Sequence, residues 1–310
     1  MWTRSRFNNE YVPGLFTVMI DAYQTRRNES MWSAMCSVLN SQKAYEEDGF
    51  RSGLSLPQVK GEGAGVTYDV QIGGAKQKWV HKVWALAVRL TEEAIDDNLY
   101  ELGRGGGEDL KEISKDLGIS MEENLETYMA RFLVSGTATT YHTCRESTSY
   151  PLFYATHLRL DGSTYSNVST ETDLTYETFW AAVVAAENQY DHRQNRIVKR
   201  IKNLWLPPQL EYKGVEILRS SERPDTGNRA INAVKASGRA DIGLKSWPYL
   251  TDTDAWYLQL EGDGIKFYWR RKTRFARERD FETGDMRFKA DQRFSAEIAD
   301  QRCWYGVVPS

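Results

Sequence analysis

Residues 284–298 read GDMRFKADQRFSAEI. Every second residue from Met286 gives Met286, Phe288, Ala290, Gln292, Phe294, Ala296 and Ile298, almost all apolar. Between them stand Arg287, Lys289, Asp291, Arg293, Ser295 and Glu297, all polar or charged. A period of two is the mark of a half-buried strand. Thirteen residues at about 3.3 Å each span about 43 Å, whereas an ordinary strand has about 5–6 residues. Such a strand outruns the core of a self-contained domain, so what it lies against decides the fold.

The chain is large enough, at 310 residues, for a sizeable core and two domains. It is 41% hydrophobic and 27% charged, the balance of a folding chain. No apolar run approaches the length of about 18–20 residues that crosses a bilayer, and the N-terminus lacks the apolar core of a signal peptide. Cys36, Cys144 and Cys303 are odd in number and far apart, which fits a reducing compartment and no disulfide framework. The 40 basic residues are outnumbered by 43 acidic ones, so the chain lacks the basic excess of a dedicated nucleic-acid binder.

Residues 1–56 are polar and aromatic, with a helix predicted from Met31, Met35, Val38 and Leu39 after Ser30 as N-cap. Tyr68, Val70 and Ile72 alternate with polar residues, Gly73-Gly74 supplies a turn, and Trp84, Leu86, Val88 and Leu90 alternate again, which predicts a long two-stranded hairpin. Thr91 caps a helix over TEEAIDDNLYEL. Leu110, Ile113, Leu117, Met121, Leu125, Tyr128, Met129 and Phe132 follow helical steps, and one long helix is favoured over a break at Gly118 and Ser120-x-x-Glu123. Residues 140–254 read as a mixed α/β region: a helix capped near Thr175, a buried strand at NLWLPP, a helix with Leu210, Ile217 and Leu218 inward, and a strand at ADIGLKSWPYL. DAWYLQLEGDGIKFYWRRK predicts a hairpin about Gly262–Gly264.

Chemical motifs are weak. KGEGAGVTY has glycines at dinucleotide-site spacing, but a strand pattern follows where a helix is needed. GRGGGEDLK precedes a helix, but Glu108 and Asp109 would repel an anion. The four histidines lie at no helical ligand spacing, and nothing marks Cys36 or Cys144 as a nucleophile. No cofactor, metal or catalytic residue is expected. The doublets Glu46-Glu47, Glu92-Glu93, Asp96-Asp97 and Glu122-Glu123, beside ten tryptophans, raise a carbohydrate-active hydrolase as an alternative. They read better as solvated faces. The basic run YWRRKTRFARER suits protein contacts more than nucleic acid.

Taken in order, SQKAYEEDGF, EGAGVTYD, RLTEEAIDDNLYE, ENLETYMARFLVSG, YPLFYATHLRLDGSTYSN, LPPQLEYKGVEILRSSERPDTGNRAIN, YLTDTDAWYL and RDFETGDMRFKADQRFSAEIADQRCWYG cover most of the chain. In that order and spacing the sequence resembles the tailed-bacteriophage major capsid proteins of the Hong Kong 97-type fold, in particular the Mu-type head subunits. The resemblance implies an α+β fold. Residues 1–56 would be an N-terminal arm reaching neighbouring subunits, 57–90 an extended loop over the next subunit, and 91–139 the first part of a peripheral domain with its spine helix. Residues 140–254 would be an axial domain, and 255–310 would return to the peripheral domain with long strands.

The resemblance further implies inter-subunit contacts from the loop residues Lys60, Glu62, Tyr68, Lys76, Lys78 and Trp79. A peripheral loop of Arg277, Glu278, Arg279, Asp280, Glu282 and Asp285 would meet its counterparts where three capsomers join, engaging opposite charges across them. The partners would be further copies in pentamers and hexamers of an icosahedral shell, portal, scaffolding and decoration proteins, and packaged double-stranded DNA held nonspecifically, with no membrane. Assembly would take place in the host bacterial cytoplasm and the product would be the virion capsid, with any scaffold a separate protein. Some members weld the loop to a neighbour by a Lys–Asn isopeptide bond. Nothing marks Lys60, Lys76 or Lys78 as reactive, and no crosslink is expected. An encapsulin-like compartment shell is the alternative that shares the fold. The charged face of the long strand, Arg287, Lys289, Arg293 and Glu297, would be left for a neighbour or the capsid lumen.

Overall fold

The computed structural model describes residues 12–93, 108–144, 147, 149–170, 173–223 and 230–309. The long strand is present as drawn from its alternation: β12 in chain order, Met286–Ile298, buries Phe288, Ala290, Phe294, Ala296 and Ile298. It is one of the two inner strands of a four-stranded sheet, ordered β1 (Ser37–Asn40), β11 (Ile265–Arg279), β12 and β4 (Lys82–Leu90). β11 and β4 run antiparallel to β12, and β1 adds to β11 in parallel.

Helix α3, Glu108–Val134, crosses this sheet as one unbroken helix of 27 residues, about 40 Å long at about 1.5 Å per residue. The side-chain amide of Gln292 donates to the carbonyl of Met121 at 3.1 Å, tying strand to helix. Gly118 does not break the helix. It is where α1 (Val12–Glu29) crosses, because a Cβ there would stand 2.3 Å from the carbonyl oxygen of Met19. Leu15, Met19 and Tyr23 of α1, one helical turn apart, share a core with Leu117, Met121 and Phe288.

Residues 12–29, within the expected arm, form a helix docked on α3. Two local readings of the N-terminal third are corrected. The helix expected through Val38 and Leu39 stops early: α2 covers Trp32–Met35 and β1 follows at once. β-branched Val38 is better placed on the sheet edge, and Ser30 closes α1 through its hydroxyl to the Arg27 carbonyl (2.8 Å). The hairpin also has different strands. β2 (Tyr45–Arg51) pairs with β3 (Gly73–Val80), so Gly73-Gly74 opens a strand instead of turning one. Residues 52–72 form the tip, and after His81 the chain enters β4 beside β12. The loop therefore begins near residue 45, within the segment read as arm. The helix expected over TEEAIDDNLYEL lies largely outside the described residues.

The second sheet has five strands, ordered β7 (Val168–Ser169), β13 (Trp304–Val307), β10 (Trp256–Leu260), β8 (Ile201–Leu206) and β9 (Gly243–Ser246). Helix α4 (Tyr176–Glu187) packs on it through Phe179, Val183 and Ala186, with Thr175 and Thr178 forming a capping box at its start. Helix α5 (Glu211–Arg219) buries Ile217 and Leu218 there as expected. The hairpin expected about Gly262–Gly264 is not formed. β10 belongs to the five-stranded sheet and β11 to the four-stranded one, so this turn is a crossover between sheets. Gly262 takes φ 117°, and a Cβ on Gly264 would meet Cys303 Cβ at 2.7 Å. Residues 255–310 thus serve both sheets.

Between the sheets lies an aromatic core containing Trp32, Trp205, Trp247, Trp304, Phe267 and Phe294. Trp32, Trp205, Trp247, Trp256 and Trp304 are all fully buried, which makes them packing residues, not a sugar platform. Of the Glu122-Glu123 doublet, Glu123 is exposed as expected and Glu122 is not. Glu122 is wholly buried and accepts the Trp32 indole N–H at 2.6 Å; one turn on, buried Glu126 accepts the Met31 amide and the Trp247 indole, each at 2.6 Å.

Candidate assembly surfaces

Two features project from this body. The first is the β2–β3 hairpin and its tip. The ladder from Tyr45↔Val80 to Arg51↔Gly73 carries it outward. Lys76 and Lys78 stand exposed on β3, and the Lys78 ammonium sits 3.7 Å above the Tyr45 ring, a cation–π contact that stiffens the stem. Trp79 is half-buried opposite Glu46. The tip carries Lys60, Glu62 and Tyr68, all exposed. Its apolar side chains are out as well: Val59 is 100% and Tyr68 93% exposed, with Leu56, Val66 and Val70 beside them. Aliphatic side chains in this density on a projecting loop have no core in their own chain.

The second is the β11–β12 turn. The Asp280 amide donates to the Asp285 carbonyl (2.9 Å), and Gly284 takes φ 74°, closing a tight loop. Three of the six charges expected to face outward, Arg279, Asp280 and Asp285, are ion-paired within the subunit. Asp285 is 2% exposed, ion-paired with Arg89 and hydrogen-bonded by the Thr283 hydroxyl at 2.7 Å. The Thr283 hydroxyl and then Arg89 hold its carboxyl below the usual range. Arg279 donates to Glu92 at 2.7 Å and to the Gly284 carbonyl at 3.0 Å, and Asp280 pairs with Arg287. Arg277 lies over the Phe16 ring at 5.7 Å. Glu278 and Glu282 are exposed. At the apex stands Phe281, fully exposed, which a reading of the charges alone passes over.

The charged face of β12 is only partly open. Arg287 and Lys289 are exposed, but Glu297 is buried and accepts the Tyr268 hydroxyl at 2.9 Å. Arg293 is half-buried, its Nε donating to the His81 carbonyl at 3.2 Å. Asp291 is buried beneath Arg271 and Arg274. Burial opposes its ionisation, and the two guanidinium groups overcome that, leaving its carboxyl below the usual range.

Among the described residues no cluster of three or more His, Cys, Asp or Glu side chains is arranged to hold a metal, and no helix is long and apolar enough to cross a membrane. The thiols are buried or half-buried, and burial pushes Cys36 up to about 12.

A sheet braced by one long helix, a second sheet grown from the same C-terminal segment, and a projecting hairpin form the body plan of a Hong Kong 97-type shell subunit. The fold is shared with the capsid of an empty GTA particle (TM-score 0.55, 11% identity, 89% of this chain and 88% of that one). It is shared with a virus-like particle from Pyrococcus furiosus (0.53, 10%, 96% and 100%) and with the capsid of the cyanophage P-SCSP1u (0.52, 10%, 91% and 88%). No curated protein sequence matches significantly. The family model for phage capsid protein matches residues 76–307, about three-quarters of the chain. The chain belongs to this phage capsid protein family, as a tailed-phage major capsid protein, a structural component of the virion.

Proposed function

We propose that this subunit forms pentamers and hexamers that close an icosahedral shell around double-stranded DNA, assembling in the host bacterial cytoplasm with scaffolding and portal proteins as partners. The observation that carries the proposal is the hairpin tip. Its aliphatic and aromatic side chains stand in solvent in the single subunit, with Val59 and Tyr68 almost wholly exposed. Laid over a neighbouring subunit they regain burial, and many modest contacts per subunit sum to a stable shell. Near-balanced charge, formally −3, limits capture of the genome on the shell wall. The peripheral loop supplies a second contact through Phe281, Glu278 and Glu282.

The test is replacement of residues 56–68 by a short Gly-Ser link, which spares the β2–β3 ladder. The variant should fold as the parent does and yield no closed shells in electron micrographs. Normal shells would sink the loop assignment. The second reading is an encapsulin-like compartment shell, which would share the fold and hold protein in place of DNA. Nuclease-protected DNA inside purified particles separates the two.

A further inference from the structure

Beyond the β2–β3 ladder the two chains of the extended loop have few bonds of their own. The Ser52 amide donates to the Ile72 carbonyl (2.9 Å), the Ile72 amide to the Ser52 hydroxyl (2.9 Å), and the Ser55 amide to Asp69 (2.7 Å). The loop's direction is set from elsewhere. The connection between α4 and β8 presents Arg193 and Asn195 to it. Arg193 Nη1 donates to the Ser55 hydroxyl at 2.8 Å and to Asp69 Oδ1 at 3.1 Å, and its Nη2 donates to the Val70 carbonyl at 2.6 Å. The Asn195 side-chain amide donates to the Leu54 carbonyl at 3.1 Å. One guanidinium therefore grips both the outgoing and the returning chain.

The gripping turn is itself built for rigidity. Asp191 Oδ1 accepts the amides of Arg193 (2.8 Å) and Asn195 (2.7 Å), and the Asp191 amide donates to the Asn195 carbonyl (2.8 Å). Gln194 takes φ 59°, the one positive φ at a non-glycine among the described residues. A side chain rarely adopts that conformation unless its surroundings impose it. Here the Gln194 side-chain amide also donates to Asp161 Oδ2 at 2.7 Å. Isolated exposed ion pairs contribute little. This contact differs because a planar fork on a strained, prefolded turn meets three acceptors on two chains, and its side chain is 17% exposed.

We propose that Arg193, held by the 191–195 turn, is a positioning residue for assembly: it fixes the angle at which the extended loop leaves the body, so that the loop meets the next subunit already oriented. The proposal rests on the reading of that loop as the inter-subunit contact. A loop with no core of its own loses chain entropy on docking, and fixing its root beforehand reduces that loss.

The experiment compares full-length Arg193→Ala and Arg193→Lys with the parent and with the 56–68 replacement. Hydrogen exchange is measured on unassembled subunits and shells are counted by electron microscopy. In Arg193→Ala the amides of Ser55 and Val70 should exchange about tenfold faster. Protection in α3 and the five-stranded sheet should be unchanged, and closed uniform shells should give way to irregular or open ones. Lysine, a point charge without the fork, should leave most of the defect. Unchanged exchange at Ser55 and Val70 would overturn the latch. Faster exchange with uniform shells, while the 56–68 replacement blocks assembly, would overturn its role in assembly. Normal shells from the 56–68 replacement would overturn the loop reading beneath it and the proposal with it.

Discussion

Replacing Gly118 with alanine sets two effects of opposite sign against each other. In an isolated helix the change favours folding by about 1 kcal/mol, because glycine gives up the most backbone freedom. In this protein the new methyl would stand 2.3 Å from the carbonyl oxygen of Met19 and 3.2 Å from the amide nitrogen of Tyr23. Both are backbone atoms of α1, so no side-chain rotation relieves the contact and α1 has to move as a body. Overpacking of this kind costs about 1–3 kcal/mol. Displacing α1 also re-exposes part of Leu15, Met19 and Tyr23, each of which gains about 1.5–3 kcal/mol when fully buried. The packing loss exceeds the helix gain. We expect a net destabilisation of about 2 kcal/mol, a fall in Tm of about 4 °C. Calorimetry on unassembled subunits measures it, and trypsin should cut faster after Arg26 and Arg27 as α1 lifts. An unchanged or raised Tm would refute the close crossing, and with it the docking of residues 12–29 on their own subunit.

Three other predictions concern charge and the exposed apex. Asp300 receives Lys199 Nζ at 2.6 Å and Arg302 Nε at 3.0 Å; burial opposes its ionisation, but Arg302 and Lys199 overcome it and hold the carboxyl far below its usual range. Its folded pKa is therefore depressed, so its contribution is complete above the ordinary aspartate pKa of about 3.9 and is lost as pH falls towards the folded value. Asp300→Asn should cost about 2–4 kcal/mol at neutral pH, with the gap to the parent narrowing below about pH 3; a constant gap in acid unfolding curves would contradict this. Glu126 works in the opposite sense. Burial raises its carboxyl above the usual range despite the Met31 and Trp247 donors, so this carboxylate opposes folding at neutral pH and the penalty fades as pH falls through the folded value. Its carboxyl carbon resonance should titrate above the reference of about 4.3, and a midpoint at or below that value would remove the argument. Phe281→Ala should change subunit stability by less than about 0.5 kcal/mol, because the ring touches no core, yet lower the yield of closed shells; equal yields would exclude the apex from assembly.

Why some of this was legible in the sequence and some not follows from what a period can report. Alternation fixes which side chains share a face of a strand, and in β12 it correctly groups Phe288, Ala290, Phe294, Ala296 and Ile298. It carries no information about the partner strand. Residues 68–72 and 84–90 both alternate with a Gly-Gly between them, and a hairpin was the local solution. The chain instead sends β4 to β12 and pairs β3 with β2, because β4 beside β12 adds Val88 and Leu90 to the core under α1 and α3. The same holds at Gly262–Gly264, where two good strands and a turn residue sit in sequence, and Cys303 and Trp304 packed against Gly264 send the strands to different sheets.

Alternation also cannot say whether a polar face stays wet. At the N-terminal end of β12 it does, with Arg287 and Lys289 exposed. Towards the C-terminal end the hairpin root closes over it: His81 lies buried between the hydroxyls of Ser41 (3.0 Å) and Ser295 (2.9 Å), and Arg293 bonds the His81 carbonyl. In the middle, register shifts in β11 between Trp269 and Arg274 bring Arg271 and Arg274 over Asp291, so three consecutive residues, Ala290, Asp291 and Gln292, are all buried. The strand's unusual length is thus used twice within one subunit, as floor for α3 and as seat for the hairpin root. Only its first few residues and the turn before them, ending at Phe281, are left for a neighbour, which moves the expected contact from the strand's face to its tip.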